Sequence, residues 1–395
     1  MERISPDSFK NTEMAFAAKS NHQLKKAHLI FRLVSNNVMA GFATSLASIG
    51  LSLRLPIKGL IKHTVFEHFC GGEDISDCHA TTDLLAKYRV GSILDYSVEG
   101  KNTEEAFDHT MAETIKTIEH AKGNKDIPFC VFKPTGIGSA MLMEKVENAE
   151  ELSDDELSSF ERMRERYHTL ANKAHDCNVR LLIDAEDSWY QATIDNIVYD
   201  LMKKYNAERA IVFNTYQMYL NRSLNKLKLA HGQARSSGFV LGAKLVRGAY
   251  MENERERASM EGYEDPICAN KEATDKSYND ALQYCVSHIG EIELFSGTHN
   301  EFSNYYLTSL MEAAGLEKGD KRVYFAQLYG MSDNISFVLA NAGYNVAKYV
   351  PYGPVQHVMP YLVRRAKENT SVGGQSSREL TLIRQELYRR KNHRA

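Results

Sequence analysis

The 395-residue sequence lacks most of the short motifs that identify a cofactor or metal site. Its fourteen histidines form no His-x-His or His-Glu-x-x-His pattern, so we predict no metal centre. No strand-like segment is followed by Gly-x-Gly-x-x-Gly, which argues against a dinucleotide-binding Rossmann half; Gly136–Gly138 comes nearest and lacks the third glycine. The six cysteines form no Cys-x-x-Cys pair, as is typical of buried or free thiols in a reducing compartment.

An excess of charge of either sign is also missing. The formal net charge is −3 and the pI is near 6.5, so no overall field attracts nucleic acid and none is expected as a partner. The first residues show neither a charged-then-apolar signal peptide nor an acid-poor transit peptide. We therefore expect a cytoplasmic protein.

One uncharged segment, residues 36–53, is too short and too polar to span a bilayer comfortably. The residues that follow combine Arg54, Lys58 and Lys62 with apolar neighbours as far as residue 66. A helix packed on the main domain is the first interpretation. The alternative is that residues 36–66 form a basic amphipathic surface that makes peripheral contact with the inner face of the membrane.

Strand-like and helix-like patterns alternate from residue 89 onward. The candidate strands are 89–98, 127–134, 180–186, 209–216, 239–247, 292–298, 322–328 and 345–350. The helical patterns after them are 103–122, 153–176, 188–205, 218–236, 268–289, 301–314, 332–342 and 355–369. Eight successive β–α units predict an α/β fold, namely a (βα)8 barrel of the TIM type. We expect an N-terminal all-helical region at 1–88, the barrel at 89–372 and a polar, helical tail at 373–395.

Polar or charged side chains follow most of the candidate strands, where barrel enzymes carry their active sites. These are Lys133, Asp184, Asn214, Gln217, Lys244, Arg247, Tyr250, Thr298, His299, Asn300 and Tyr349. Any one of them could be a satisfied polar group of the core. So many at one end of a barrel indicate a polar site, because burying polar groups without partners is unfavourable.

The last helical pattern carries a second candidate site. Spacings of three, four and seven place Tyr361, Arg364, Arg365 and Glu368 on one helical face. Two adjacent arginines beside a tyrosine form a planar surface of donors suited to a carboxylate. Glu368 can hold a guanidinium in place or accept a hydrogen bond from a polar ligand. The alternative is a solvated helix face with one intrahelical ion pair.

Residues 361–369 resemble the Tyr-Leu-x-Arg-Arg-x-x-Glu-Asn signature of proline dehydrogenase. Further segments are similar to the family in the family's order: Asp184–Glu186, Val246–Tyr250, Thr298–Asn300 and Leu328–Met331. The resemblance covers about residues 65–372 and begins near Phe69–Glu73. It implies a monofunctional enzyme in which FAD oxidises L-proline to Δ1-pyrroline-5-carboxylate by hydride transfer to flavin N5, the first step of proline catabolism to glutamate, and electrons then pass to a quinone.

The resemblance also implies roles for residues that would hold the substrate. Lys133, Arg364 and Arg365 would bind the carboxylate, with Glu368 and Asp184 as orienting partners. The pocket wall would be formed by Tyr250, Leu328, Tyr349 and Tyr361. A tyrosine at 349 fills the space of a 4-hydroxyl, which favours proline; hydroxyproline or another cyclic amine is the alternative substrate. No side chain stands out as a catalytic acid or base.

The implied flavin contacts depart from the family at Lys244 and at Met251, where some relatives have an aromatic residue against the adenine. Lys244 stands where many members have an arginine on the N5 side, which keeps the charge but loses the fork geometry. Either Asn214 or Gln217 is expected at the isoalloxazine edge. Arg247, Thr298, His299 and Asn300 match positions that hold the ribityl, pyrophosphate or adenosine portions.

A different reaction class remains open on the residues alone. Lys133 and Lys244 lie at the ends of barrel strands, where Schiff-base aldolases carry their lysine. Such an enzyme would need no flavin and would be trapped by borohydride with a carbonyl substrate.

Overall fold

The structure is a computed structural model, and it describes residues 3–34, 58–98, 102–364 and 375–392. Within these ranges eight parallel strands form one sheet in the order β1-β8-β7-β6-β5-β4-β3-β2. The strands are β1 Val90–Tyr96, β2 Phe129–Phe132, β3 Arg180–Ile183, β4 Val212–Gln217, β5 Leu241–Val246, β6 Ile292–Gly297, β7 Val323–Leu328 and β8 Val346–Tyr352. Helices alternate with them, and the predicted (βα)8 fold is confirmed.

The described helices are numbered in chain order, with residues 359–364 as a short helical segment left unnumbered. They are α1 Thr12–Ala15, α2 Asn21–Val34, α3 Lys58–Ile61, α4 Glu67–Phe69, α5 His79–Lys87, α6 Glu104–Ala121, α7 Ala140–Glu147, α8 Asp154–Cys177, α9 Gln191–Tyr205, α10 Ser223–Ser237, α11 Met251–Glu261, α12 Lys271–Ser287, α13 Glu301–Ala313, α14 Asp333–Ala342 and α15, here called the C-terminal helix, Gln375–Asn392. A π-helical turn, Lys62–Phe66, joins α3 to α4.

Two helices within the barrel region were not predicted. The helix α7 follows a short turn after β2, and four residues separate α11 from the end of β5. Helix α11 has the sequence MENERERASME, in which charged residues outnumber apolar ones, so it lacks the apolar spacing by which helices were recognised. The predicted strands are correct in number and order, and most extend a few residues beyond the observed ends.

The described residues divide into two compact units. The first consists of Met1–Glu99 with Gln327–Ala395, and the second of Gly100–Ala326. Strands β1 and β8, which pair with each other, fall in the first unit, and the domain division at residues 88 and 372 stays a prediction.

In the second unit, one face of the sheet is filled by aromatic rings. The ring of Phe129 lies 4.8–5.5 Å from the rings of Phe213, Phe295 and Tyr324. We call this the inner face. Side chains alternate along a strand, so every second residue from these positions points to the same face. The opposite face packs against helices, as where the Tyr216 hydroxyl lies 3.3 Å from that of Tyr199 in α9.

In the first unit, β1 pairs with β8 from Val90 opposite Val346 to Tyr96 opposite Tyr352. The segment after α4 extends this pairing, since the Gly71 N–H donates to the Pro351 carbonyl at 2.8 Å. An apolar cluster then joins α4 to residues 359–364; it contains Phe66, Phe69, Cys70, Met331, Val355, Val358, Tyr361 and Leu362. A second cluster packs α2 against the C-terminal helix through Leu24, Phe31, Leu382 and Ile383, among others.

Four buried charged residues of the first unit form what we call the core cluster: Lys19, Asp333, Lys348 and Glu379. Lys348 is fully buried and donates to Asp333 Oδ1 at 2.9 Å, to the Met331 carbonyl at 2.7 Å and to the Leu328 carbonyl at 3.3 Å. Lys19 donates to the other oxygen of Asp333. Glu379 accepts the Ser332 N–H at 2.5 Å. The core cluster therefore connects the N-terminal segment and the C-terminal helix to the loop after β7.

Residues 36–57 of the predicted membrane-contact segment lie outside the described residues. Its remaining part includes Phe66, which is buried in the apolar cluster of the first unit, as the packed-helix interpretation expects. Among the described helices, none combines the length and the apolar character needed to cross a bilayer. All six cysteines are free and buried.

Candidate functional site

Three charged side chains meet at the carboxyl ends of β2, β3 and β5, and we call them the strand-end cluster: Lys133, Asp184 and Lys244. Lys244 Nζ lies 2.5 Å from Asp184 Oδ1, and Lys133 Nζ lies 3.8 Å from Asp184 Oδ2. The Lys133 and Asp184 side chains are each 17% exposed and that of Lys244 is 6% exposed. Two lysines and one aspartate are thus brought together in a largely buried place, and fixed ammonium groups of this kind suit an anionic ligand.

The strand register explains why these side chains meet. Lys244 is paired with Thr215 and with Phe295, so it points to the inner face of the sheet. Phe132 and Ile183 are register partners on the opposite face of the sheet. Lys133 and Asp184 each come one residue later, so the alternation of their strands turns both to the inner face. The register of the parallel strands therefore places the three charged side chains at the same height on the inner face of the sheet.

A buried carboxylate, Glu186, joins the loops after β2 and β3. Its Oε2 accepts the Thr135 N–H at 2.8 Å and its Oε1 accepts the Thr135 hydroxyl at 2.5 Å. Burial raises the pKa of Glu186 to about 7, although the Thr135 donors and Lys133 act in the opposite direction. Its main chain is held as well, because the Glu186 N–H donates to Gln191 at 3.0 Å and the Glu186 carbonyl accepts from Gln217 at 2.6 Å.

The two amides predicted for the isoalloxazine edge lie on opposite faces of β4. Asn214 points to the helices and donates to Asp195 Oδ1 of α9 at 2.8 Å. Gln217 shares the alternation of Phe213 and Thr215, and therefore the inner face with Lys244. Both amides are buried and hydrogen-bonded. The geometry gives Asn214 a structural contact and leaves Gln217 on the side of the strand-end cluster.

Arg247, after β5, is the centre of a polar group with Thr298. Its guanidinium donates to Asp275 at 2.6 Å, to the Thr298 hydroxyl at 2.5 Å and to the Ser303 hydroxyl at 3.0 Å. It also lies 4.5 Å from the ring centroid of Tyr278, a cation–π distance. Asn300 caps α13 by accepting the Ser303 N–H at 2.9 Å, and His299, half-buried, lies between Thr298 and Asn300.

Glycine is required between Arg247 and Tyr250. Gly248 has φ +134°, and a Cβ there would lie 2.2 Å from the Tyr219 ring. Tyr250 then precedes α11, whose buried Glu254 accepts the Ser188 N–H at 2.7 Å and the Ser188 hydroxyl at 2.6 Å. The loop after β3 is therefore tied to α11 by a contact like that of Glu186.

The remaining predicted site residues belong to the first unit. Leu328 and Tyr361 pack in the same apolar cluster. Tyr349, 7% exposed, lies in β8, and its carbonyl accepts the Tyr329 N–H at 2.8 Å. Arg364 is half-buried and ends the described part of the helix at 359–364. Arg365 and Glu368 lie outside the described residues.

The sequence profile named proline dehydrogenase matches residues 78–378. The chain belongs to the proline dehydrogenase family. This confirms the family resemblance seen at the strand ends and in the last helix. Proteins similar to this chain carry several different names.

Three relatives and one solved structure illustrate this. The chain is 34% identical to the carbapenem antibiotics biosynthesis protein CarD of Pectobacterium carotovorum subsp. carotovorum, over 84% of the chain and 86% of CarD. It is 32% identical to proline dehydrogenase 1, mitochondrial, of Dictyostelium discoideum, over 96% and 74% of the two chains. It is also 32% identical to hydroxyproline dehydrogenase of Xenopus laevis, over 95% and 88%. The structure of proline utilization A from Bdellovibrio bacteriovorus inactivated by N-propargylglycine matches with a TM-score of 0.72 at 20% identity, covering 94% of this chain and 40% of that one.

Sequence reasoning assigned no role to several carboxylates that hold the predicted site residues. Glu186, Asp195, Glu254 and Asp275 each accept hydrogen bonds from a strand-end loop or from a side chain predicted to bind a ligand. Glu186 could have been noticed, because it follows Asp184 by two residues and so continues the same alternation. The other three lie in helices, and only the folded structure brings them to the strand ends.

Proposed function

We propose that this chain is an FAD-dependent proline dehydrogenase that oxidises L-proline to Δ1-pyrroline-5-carboxylate and passes the electrons to a quinone. The strand-end cluster is the observation that carries the proposal. It presents two lysines around one aspartate on the inner face of the sheet, at the end where barrel enzymes bind substrates. Family membership supports the same reaction class.

The substrate carboxylate requires fixed cationic donors. Lys133 is proposed as one, and Arg364 and Arg365 as the others, with Asp184 and Glu368 orienting them. Asp184 suits that task because it also holds Lys244 at 2.5 Å. Tyr250, Leu328, Tyr349 and Tyr361 are proposed as the apolar wall that excludes water from the pyrrolidine ring.

The donor set of the second unit fits a flavin dinucleotide. Lys244 and Gln217 share the inner face, where a cation and an amide suit the polar edge of an isoalloxazine. Arg247, Thr298, His299 and Asn300 offer cationic and neutral donors suited to ribityl, pyrophosphate and adenosine groups. When bound, FAD would accept the hydride from the proline ring carbon at N5. No acid or base of the chain is assigned to the step, since solvent can deprotonate the amine beforehand.

Hydroxyproline is the second candidate substrate. The observation in its favour is the 32% identity over 95% of this chain to a relative named hydroxyproline dehydrogenase. Tyr349 is the residue that argues against it: it is buried in β8, and the family resemblance implies that a tyrosine here fills the space of a 4-hydroxyl. We keep proline as the proposed substrate on that ground.

The cellular setting is proposed on the same family basis. The protein would act in the cytoplasm and meet its quinone at the inner face of the membrane, with residues 36–66 as the surface that makes contact. Binding to anionic liposomes should fall in the double variant Arg54→Glu, Lys58→Glu, which leaves Lys19 and helix α2 in place. Unchanged binding of this variant would contradict the proposed surface.

The decisive experiment is an absorption spectrum of the purified protein with FAD, followed by anaerobic addition of L-proline. Flavin bands that bleach with L-proline and not with trans-4-hydroxyproline support the proposal. Bleaching only with hydroxyproline would transfer it to the second candidate. Absence of flavin bands after FAD addition, together with borohydride trapping of a carbonyl substrate on Lys133 or Lys244, would replace it with the aldolase alternative.

A further inference from the structure

Glu186 has no assigned role, yet it is one of the most completely enclosed carboxyl groups of the second unit. It is 5% exposed, and both its oxygens are engaged by a single residue, Thr135. Burying a carboxyl group is unfavourable unless its hydrogen bonds compensate for the loss of solvation. Here both hydrogen bonds are made with one short turn. What that turn carries therefore shows what Glu186 does.

The turn begins with Lys133. The Gly136 N–H donates to the Lys133 carbonyl at 2.9 Å and closes the 3-10 turn Pro134–Gly136, whose middle residue is Thr135. Glu186 holds this middle residue by its N–H and its hydroxyl. It thereby fixes the backbone from which the Lys133 side chain projects.

Glu186 also stands two residues after Asp184, the carboxylate that faces Lys133 at 3.8 Å. The Glu186 carbonyl accepts from Gln217, so the same residue is linked to β4. Glu186 thus links three segments whose residues are proposed to bind the ligands: its side chain holds the turn after β2, and its carbonyl holds the end of β4.

We propose that Glu186 is a positioning residue, which holds the Lys133 ammonium group at the level of Asp184 so that it can receive the carboxylate of the substrate. This inference rests on the proposed function of Lys133. It concerns a residue whose two carboxyl oxygens both accept hydrogen bonds from Thr135, and it predicts a selective effect on substrate binding.

The charges around Glu186 make the effect dependent on pH. Lys133 and Asp184 face it from the loops after β2 and β3, with Tyr167 of α8 and Tyr190 close enough to interact with it electrostatically. As a carboxylate, Glu186 accepts both Thr135 hydrogen bonds. Protonation turns one oxygen into a donor and removes one of them. Because burial raises the pKa of Glu186 to about 7, the contact is complete above this pH and weakens as the pH falls through it.

The test is Glu186→Gln, which keeps the size of the side chain and replaces one acceptor by a donor. We expect the KM for L-proline to rise about tenfold, kcat to change less than about threefold, and FAD affinity to stay unchanged. The ratio of the wild-type to the variant KM should vary between pH 6 and 8, because the Glu186 carboxyl group of the wild type titrates there and the glutamine of the variant does not. Thr135→Val, which removes the hydroxyl and keeps the N–H, should raise KM by a smaller factor.

The matched control is Glu147→Gln. Glu147, at the end of α7, accepts the Thr193 N–H at 2.7 Å and the Thr193 hydroxyl at 3.1 Å, and therefore makes the same type of contact between α7 and α9. Its loss should lower the melting temperature without a change in KM. An equal KM in Glu186→Gln, Thr135→Val and the wild type would overturn the inference, as would an equal KM increase in Glu147→Gln.

The failure of the inference and the failure of the proposed function give different results. If the wild type does not oxidise L-proline, the proposed function is wrong. If it does and the Glu186 variant binds proline as the wild type does, only the positioning role is wrong. Should Glu186→Gln not fold, Thr135→Val decides the question with the carboxyl group intact.

Discussion

The two units each hold one aspartate between two lysines, and the two arrangements differ in their place in the fold. In the core cluster, Lys348 donates to Asp333 and to two main-chain carbonyls, which accounts for all three of its N–H bonds. In the strand-end cluster, Lys244 lies 2.5 Å and Lys133 3.8 Å from the same Asp184. A buried carboxyl group lies in or beside each cluster: burial raises the pKa of Glu379, in the core cluster, and of Glu186, next to the strand-end cluster, to about 7.

The comparison teaches that the same side chains can serve stability or ligand binding according to their place in the fold. Main-chain carbonyls of the loop after β7 satisfy Lys348 without any ligand. The strand-end lysines project from the carboxyl ends of strands, where a ligand can add a further acceptor. We therefore expect substitutions in the core cluster to affect folding, and substitutions in the strand-end cluster to affect binding.

The largest effect is expected for Lys348→Met. Removing the ammonium group leaves Asp333 buried beside Lys19 alone and leaves the Met331 carbonyl without its 2.7 Å donor. Loss of one partner from a buried ion pair typically lowers the free energy of unfolding by about 3–5 kcal/mol. Urea unfolding followed by circular dichroism measures it.

The matched control for Lys348 is Lys116→Met. Lys116 forms an ion pair with Glu113 at 2.5 Å, but its side chain is 60% exposed. Exposed pairs of this kind contribute little, so the control should unfold at the urea concentration of the wild type. If Lys348→Met also unfolds there, the core cluster does not have the role that the comparison gives it.

The next effect is expected for Lys133→Met. Loss of a charged donor to the substrate carboxylate, about 1.5–3 kcal/mol, should raise the KM for L-proline roughly 10- to 100-fold with little change in the melting temperature. Steady-state kinetics and thermal unfolding measure the two. Lys19→Met tests the core cluster in the same two assays, and we expect it to lower the melting temperature and leave the KM for L-proline unchanged. The comparison fails if both variants lose stability and neither changes KM.

The strand-end cluster could be anticipated from the sequence and the core cluster could not. Lys133, Asp184 and Lys244 follow apolar strand-like runs, and parallel strands of a barrel end at one side. Lys19, Asp333, Lys348 and Glu379 come from four distant segments, two of them near the chain ends, and no spacing connects them. The face of Asn214 was undecided for a related reason, since it depends on the register of β4, which a short apolar run does not define.

The stability of the core cluster should depend on pH through Glu379. Burial, and next Asp333, raise its pKa from 4.5 to about 7, against the Ser332 N–H and the two lysines. Because the folded state holds this proton more tightly, its contribution to stability is complete below about pH 4.5 and is lost as the pH rises through about 7. The unfolding free energy of Glu379→Gln relative to the wild type should therefore increase from pH 5 to pH 8, by about 1–3 kcal/mol.

Glu386, on the same C-terminal helix, supplies a control of opposite sign for Glu379. Burial acts to raise its pKa, but hydrogen bonds from Arg389 and Arg390 outweigh this and lower it. Its contribution to stability is therefore present above its unfolded pKa and is lost as the pH falls. Glu386→Gln should lose more stability relative to the wild type at pH 7 than at pH 4, and equal slopes for the two variants would refute the assignment to Glu379.

The smallest effect should separate the two amides of β4. Gln217→Leu should weaken FAD binding about three- to tenfold, the loss of roughly one hydrogen bond, because Gln217 shares the inner face with Lys244. Asn214→Leu should leave the FAD dissociation constant unchanged and lower the melting temperature, because it removes the donor to buried Asp195. Fluorescence titration of the apoprotein with FAD measures the first, and thermal unfolding the second. The opposite result would mean that the helix-facing amide acts on the flavin, and the strand-end face would then have to be assigned again from β4 outward.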